Sequence, residues 1–216
     1  MIDPLRRQVE AAYQHNNGGP SAYIDESYRA FERPGEEPFY VLTAVIVEYD
    51  DMEPMRTELV RIAGGNYWHT TKELRTDLGR KRVQEMLNYL ADGIEPCVIS
   101  TTTSISSEDD DLEGARRACV QQLLAALATG GDSWTSVNLA LMEQRKFRNQ
   151  RNRDDDTYRK MHASGHLRRD FRLLQTSPSC ESLLWLPDLV SSAIRRSMAL
   201  SDPTYFEVVS KNVYFL

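Results

Sequence analysis

Two hydrophobic periods share this chain, one of strands and one of amphipathic helices. Residues 38–47 (Pro-Phe-Tyr-Val-Leu-Thr-Ala-Val-Ile-Val) carry no charge and are rich in β-branched and aromatic residues, which predicts a strand over about 39–48. A shorter apolar run predicts a first strand at about 21–25, ending in Asp25-Glu26-Ser27. Pro34-Gly35 and Pro38 between the two runs read as a hairpin loop over 30–38, making these strands antiparallel neighbours. Pro96 to Thr103 reads as a third strand, Ser136 to Glu143 as a fourth and Phe171 to Gln175 as a fifth.

Helical spacing fills the remainder. Asp3-Pro4 is an N-cap followed by proline at the first helical position, so a helix runs to about His15 and breaks at Asn16-Asn17-Gly18-Gly19-Pro20. Residues 52–62 form a helix stopped by Gly64-Gly65, and 78–91 form another with Val83, Leu87, Leu90 and Ala91 on one face. Asp109-Asp110-Asp111 suit the first turn of a helix reaching about Thr129, where negative charge complements the helix dipole. A helix near 155–164 and one from Leu186 through Ser197 complete the set, while 66–74 (Asn-Tyr-Trp-His-Thr-Thr-Lys-Glu-Leu) has no clear period. Two antiparallel strands followed by helical crossovers predict an α/β fold, a five-stranded mixed sheet flanked by helices. The expected organisation is an N-terminal helix and turn over 1–19 and a single domain over 20–216.

Composition narrows the class. With 216 residues, 41% hydrophobic and 27% charged, the chain suits a soluble globular protein with its own core. No apolar run approaches the roughly 20 residues that span a bilayer, and the start of the chain lacks a secretory apolar core, so the expected location is cytoplasmic. Cys97, Cys119 and Cys180 are far apart with no CxxC pair, which argues against a disulfide framework or zinc knuckle and makes each a small buried hydrophobe. Charge is unevenly spread: within 145–172, ten basic residues oppose four acidic ones, leaving +6 there and −12 in the rest of a chain of net −6. Arg145, Lys146, Arg148, Arg151 and Arg153 open that segment and are candidates for contact with a phosphate backbone; the alternative is a solvated, salt-bridged helix face.

Three acids stand at the ends of elements. Asp25 ends the first strand, Glu143 ends the fourth, and Asp188 lies in the first turn of the last helix, after Pro187. If the first and fourth strands are adjacent and parallel, Asp25 and Glu143 emerge at one sheet edge. Three carboxylates meeting there call for a hard cation, Mg²⁺ or Mn²⁺, to offset their repulsion. A pair of such ions roughly 4 Å apart activates water and stabilises a leaving oxygen in phosphodiester hydrolysis. Each acid also has a purely structural reading: a strand end turning into a loop, a solvated strand end, and a helix N-terminal charge. Glu26 is expected to point away from Asp25, because strand neighbours face opposite sides. His69 is a candidate to orient water or shuttle a proton, or else a loop histidine packed beside Trp68.

The same pieces resemble a known family. Ala22-Tyr23-Ile24-Asp25-Glu26-Ser27 resembles the opening motif of the domain of unknown function 3800 family, residues 39–47 are similar to its second strand, and 184–196 resemble its closing helix. The resemblance implies an RNase H-like fold and a metal-dependent nuclease site containing Asp25, Glu143 and Asp188. The chain departs from the pattern in three places. Tyr28 stands where a glycine is common, Tyr67 replaces the glutamate of a Glu-x-His motif ending at His69, and the fourth strand ends in Glu143 where aspartate is usual. The leading expectation is therefore a divalent-metal-dependent nuclease acting on DNA or RNA. The altered Glu-x-His segment motivates an alternative, a catalytically silent RNase H-like module that binds nucleic acid or a protein partner. A hydrolase of some smaller phosphoester would use the same acids.

Overall fold

The computed structural model describes residues 3–31, 36–109 and 111–216. At its centre is a six-stranded sheet in the order β5-β4-β1-β2-β3-β6. The strands are β1 (Ser21–Arg29), β2 (Phe39–Val47), β3 (Cys97–Thr102), β4 (Leu139–Glu143), β5 (Arg172–Thr176) and β6 (Val213–Phe215). β2 runs antiparallel to both of its neighbours, β1 and β3, while β4 runs parallel to β1, β5 parallel to β4 and β6 parallel to β3. The fold is thus α/β with a mixed sheet, as expected, but the sheet has six strands and not five. β6 is only three residues long and sits at the edge, too short to give a period of its own.

Every residue of β2 is buried, which explains its uncharged sequence: helices cover it on both sides. On one face, alternate residues Tyr23, Val41, Val45, Leu139 and Leu141 join a core with Leu59, Leu87, Leu90, Leu186 and Val190. These come from α2 (Tyr49–Ala63), α4 (Asp77–Asp92) and α7 (Trp185–Leu200). Val9 of α1 (Pro4–His15) is buried in the same core. On the other face Ala22, Ile24, Leu42, Ala44 and Met142 pack with Val120, Leu123 and Leu127 of α5 (Glu113–Thr129) and Met161 of α6 (Arg148–Ala163).

Local chemistry sets the element ends. The Asp3 side chain accepts from the Leu5 N–H at the start of α1. α2 ends at Gly64 with φ +68°, a left-handed position that suits glycine, and its N–H closes on the Val60 carbonyl. The aspartates before α5 act differently from expectation. The helix begins at Glu113, and Asp109 caps it from four residues upstream by accepting from the Gly114 and Ala115 N–H groups at 2.8 Å. Asp110 and the Pro34-Gly35 turn lie outside the described residues. α6 also starts earlier than expected, at Arg148, because its few apolar contacts give it little helical period. Of the cysteines, Cys97 and Cys119 are buried and Cys180 is partly exposed.

Candidate active site

Parallel pairing of β1 with β4 brings the first two acids together. The register runs from Ser21 opposite Leu139 to Ile24 opposite Met142, so the next rung sets Asp25 beside Glu143. Side-chain alternation then directs both to the face that packs against α7, two residues beyond the core residues Tyr23 and Leu141. Asp188 in the first turn of α7 meets them there. Asp25, Glu143, Asp188 and the exposed His69 all line one cleft of about 720 Å³.

Ser191, on the same turn of α7, fixes the helix to the sheet beneath the cleft. Its hydroxyl donates to Thr43 Oγ1 at 2.8 Å and to the Asp25 carbonyl at 3.4 Å. The segment without period, 66–74, proves to be the clamp on Asp188. Thr70, which opens the short α3 (Thr70–Glu73), donates both its N–H and its hydroxyl to Asp188 Oδ2, each at 2.9 Å. The Trp68 indole N–H in turn donates to Thr70 Oγ1 at 2.9 Å, and its ring packs on Trp185 of α7. His69 is the extended residue before α3, held at the rim by this arrangement.

Burial raises the proton affinity of all three acids, and crowding by neighbouring carboxylates adds to it at Asp25 and Glu143. Asp25 is held well above the ordinary carboxylate range, first by burial and then by the charges of Glu26, Asp188 and Glu143. Glu143 is pushed up to about 7, by burial and then by Asp188 and Glu26. Asp188 is raised by burial, against the opposing pull of the Thr70 donors, the neighbouring His69 and the Ser192 hydroxyl. Glu26 does turn to the opposite side of β1, where it pairs with Arg116 at 3.0 Å, yet at the sheet edge it still lines the cleft and adds to the negative field. Arg116 is 2% exposed and also binds both Asp154 oxygens and the Tyr40 hydroxyl, so Glu26 is anchored to a buried network under α5 and α6.

The basic segment divides. Arg145 and Lys146 line the cleft. Arg145 also pairs with Glu113, and Arg153 reaches Asp111 at 3.0 Å and Glu113 at 3.4 Å. Arg151 donates to the carbonyls of Arg145 and Lys146, bracing the turn into α6, while Arg148 is exposed at the helix start. Thr70, Ser192 and Arg116 escaped the sequence reading. Ser192 lies four residues after Asp188, so helical spacing alone could have found it; for the other two no local signal exists.

The donor set suits a hard divalent cation in kind: four carboxylates, no thiolate, and charges that repel when empty of a counterion. Among the described residues, no three histidine, cysteine or acidic side chains are already drawn together as a metal-binding group. The acids share a cleft without forming a closed cage.

No family model and no curated protein matches this chain. Among solved structures, it is similar to Bst-RNase HIII in complex with Mn²⁺, at a TM-score of 0.50 and 9% identity over 92% of this chain and 57% of that one. A mutant form of Bst-RNase HIII aligns at 0.43 and 11% identity over 88% and 58%. The chain therefore spans somewhat over half the length of those proteins. The mixed order, antiparallel β1-β2-β3 with β4 and β5 added in parallel beside β1, gives this chain an RNase H-like fold.

Proposed function

We propose that this chain is a divalent-metal-dependent nuclease of the domain of unknown function 3800 family, acting on nucleic acid in the cytoplasm. One observation carries the reading: Asp25 and Glu143 side by side on adjacent parallel strands, with Asp188 brought to the same cleft by α7. Burying three carboxylates in mutual repulsion costs stability, and a fold keeps such a cost where it serves chemistry. Asp25, Glu143 and Asp188 would hold Mg²⁺ or Mn²⁺. When bound, the ion would polarise the scissile phosphate and lower the proton affinity of the attacking water. Thr70 holds Asp188 in one orientation through its two donors, as an outer-shell partner does for a ligand. His69, exposed on the lining of the cleft, would pass a proton to the leaving oxygen. Arg145 and Lys146, which line the cleft, would meet the phosphates, and the exposed Arg148 at the start of α6 would add to them; Arg151 and Arg153 would serve chiefly to brace that turn.

The test is a cleavage assay on single- and double-stranded DNA and RNA with Mn²⁺, comparing the wild type with Asp25→Asn and Asp188→Asn. Cleavage by the wild type that both variants lose is the expected result, and variants that cleave as well as the wild type sink the reading. A specific feature favours the alternative, a silent binding module: the cleft acids do not stand as a ready three-ligand group. Titration calorimetry separates the two. Saturable Mn²⁺ binding that disappears in Asp25→Asn supports the enzyme, whereas nucleic-acid binding without Mn²⁺ binding supports the module.

A further inference from the structure

The cleft carries two side chains that its acids do not account for. Tyr28 is 50% exposed and Tyr67 is 61% exposed, and both line the same cleft as Asp25, Glu143 and Asp188. They are also the two tyrosines at which the sequence leaves the family pattern. Tyr28 lies three residues beyond Asp25 on β1, so alternation places it on the Glu26 side of the sheet. One of its faces stacks on the buried ring of Tyr40, with centroids 5.7 Å apart and 4° between planes, and half of the side chain remains open to water. Tyr67 comes from the segment leading into α3, over the opposite face, and its hydroxyl accepts from Lys72 Nζ at 2.7 Å. The two rings thus flank the carboxylates from opposite sides, and Arg145 and Lys146 add positive charge to the same lining.

Open aromatic faces, cations on the lining and hard-oxygen donors on the floor select for one chemistry. A flexible polyanion with planar groups at each repeat satisfies all three, whereas the bases of a duplex are already stacked on one another and have no face to offer. We infer that the cleft takes single-stranded nucleic acid, its bases stacked on Tyr28 and Tyr67 and the phosphate between them led across Asp25, Glu143 and Asp188. The inference deepens the nuclease reading and rests on it.

Fluorescence anisotropy with labelled 12-nucleotide single-stranded DNA, single-stranded RNA and duplex DNA, in Ca²⁺, tests it. Single strands are expected to bind at least about tenfold tighter than duplex. Tyr28→Ala and Tyr67→Ala should each weaken single-strand binding by about fivefold to a hundredfold while leaving duplex binding unchanged. Tyr28→Phe and Tyr67→Phe should keep wild-type affinity, and the salt dependence should be the same in all variants, because stacking releases no counterions. Should Tyr28→Ala fail to fold, Tyr67→Ala decides, since its ring is the more exposed. Equal affinity for duplex and single strand, or alanine variants that bind like wild type, overturns the inference while a cleaving wild type keeps the nuclease reading. A wild type that neither binds nor cleaves any of the three overturns both.

Discussion

In the metal-free protein the site should be a stability cost that titrates away. Glu143 is carried from its ordinary 4.5 up to about 7 by burial and by Asp188 and Glu26. A folded-state affinity above the unfolded one means that the native state takes up the proton first. Stability is then fully present below about pH 4.5 and is lost as pH rises through about 7. The size of the loss is about 3 kcal/mol at full value, and about 2 kcal/mol once the wetted part of the side chain is allowed for. Glu143→Gln removes the charge at every pH. In EDTA at pH 8 it should therefore be more stable than the wild type by about 2 kcal/mol, equivalent to a melting point raised by roughly 4–8 °C in a chain of this size. At pH 4.5 the two should melt together. Saturating Mn²⁺ should reverse the order at pH 8, because only the wild type keeps the full carboxylate set. Urea unfolding at pH 4.5, 6, 7 and 8, with EDTA or Mn²⁺, measures all of this. Equal stability of variant and wild type at pH 8 in EDTA would refute the claim that these carboxylates are in conflict.

Other substitutions test the supports of the site. Thr70→Val removes a hydroxyl donor to Asp188 Oδ2 and leaves the Trp68 indole without its acceptor, so Mn²⁺ affinity should fall by about 10–100-fold in calorimetry; unchanged affinity would mean that Thr70 does not orient Asp188. A Cβ on Gly79 would lie 2.0 Å from the Glu73 carbonyl oxygen, so Gly79→Ala should push α3 off α4 and carry Thr70 with it, lowering activity more than Ala substitution at the exposed Arg80 does. Arg116→Met strands the buried Asp154 carboxylate and should cost about 3–5 kcal/mol in urea unfolding, much of it recovered in Arg116→Met/Asp154→Leu; additive losses in the double variant would contradict a charge network. Ser191→Ala frees Thr43 Oγ1 and should cost about 1–3 kcal/mol, with a slackened α7 read as faster hydrogen exchange near Asp188.

The amino-acid pattern by itself determined the elements whose burial leaves a period or whose ends carry a cap. β2 is legible because both of its faces are covered, so no position tolerates charge; α1 is legible from Asp3-Pro4, and α2 from the glycine at its end. It also brought Asp25, Glu143 and Asp188 to attention, although β1 does not end at Asp25 as expected: it runs on to Arg29, held by its pairing with β2, and Asp25 lies where the shorter β4 stops beside it. What it missed follows from the same physics. α6 packs few apolar residues and so shows little period before 155, and β6 is held by three residues at an edge that a local pattern cannot distinguish from a loop. Only the tertiary structure decided that β4 lies beside β1 in the register that pairs Asp25 with Glu143, because strand order depends on crossovers that no local window contains. It alone revealed Thr70 as the clamp on Asp188, 118 residues away in sequence, and Arg116 as the buried anchor of Glu26. Hydrogen bonds between distant residues leave no periodic trace, so the acids could be read from the chain while the groups that position them could not.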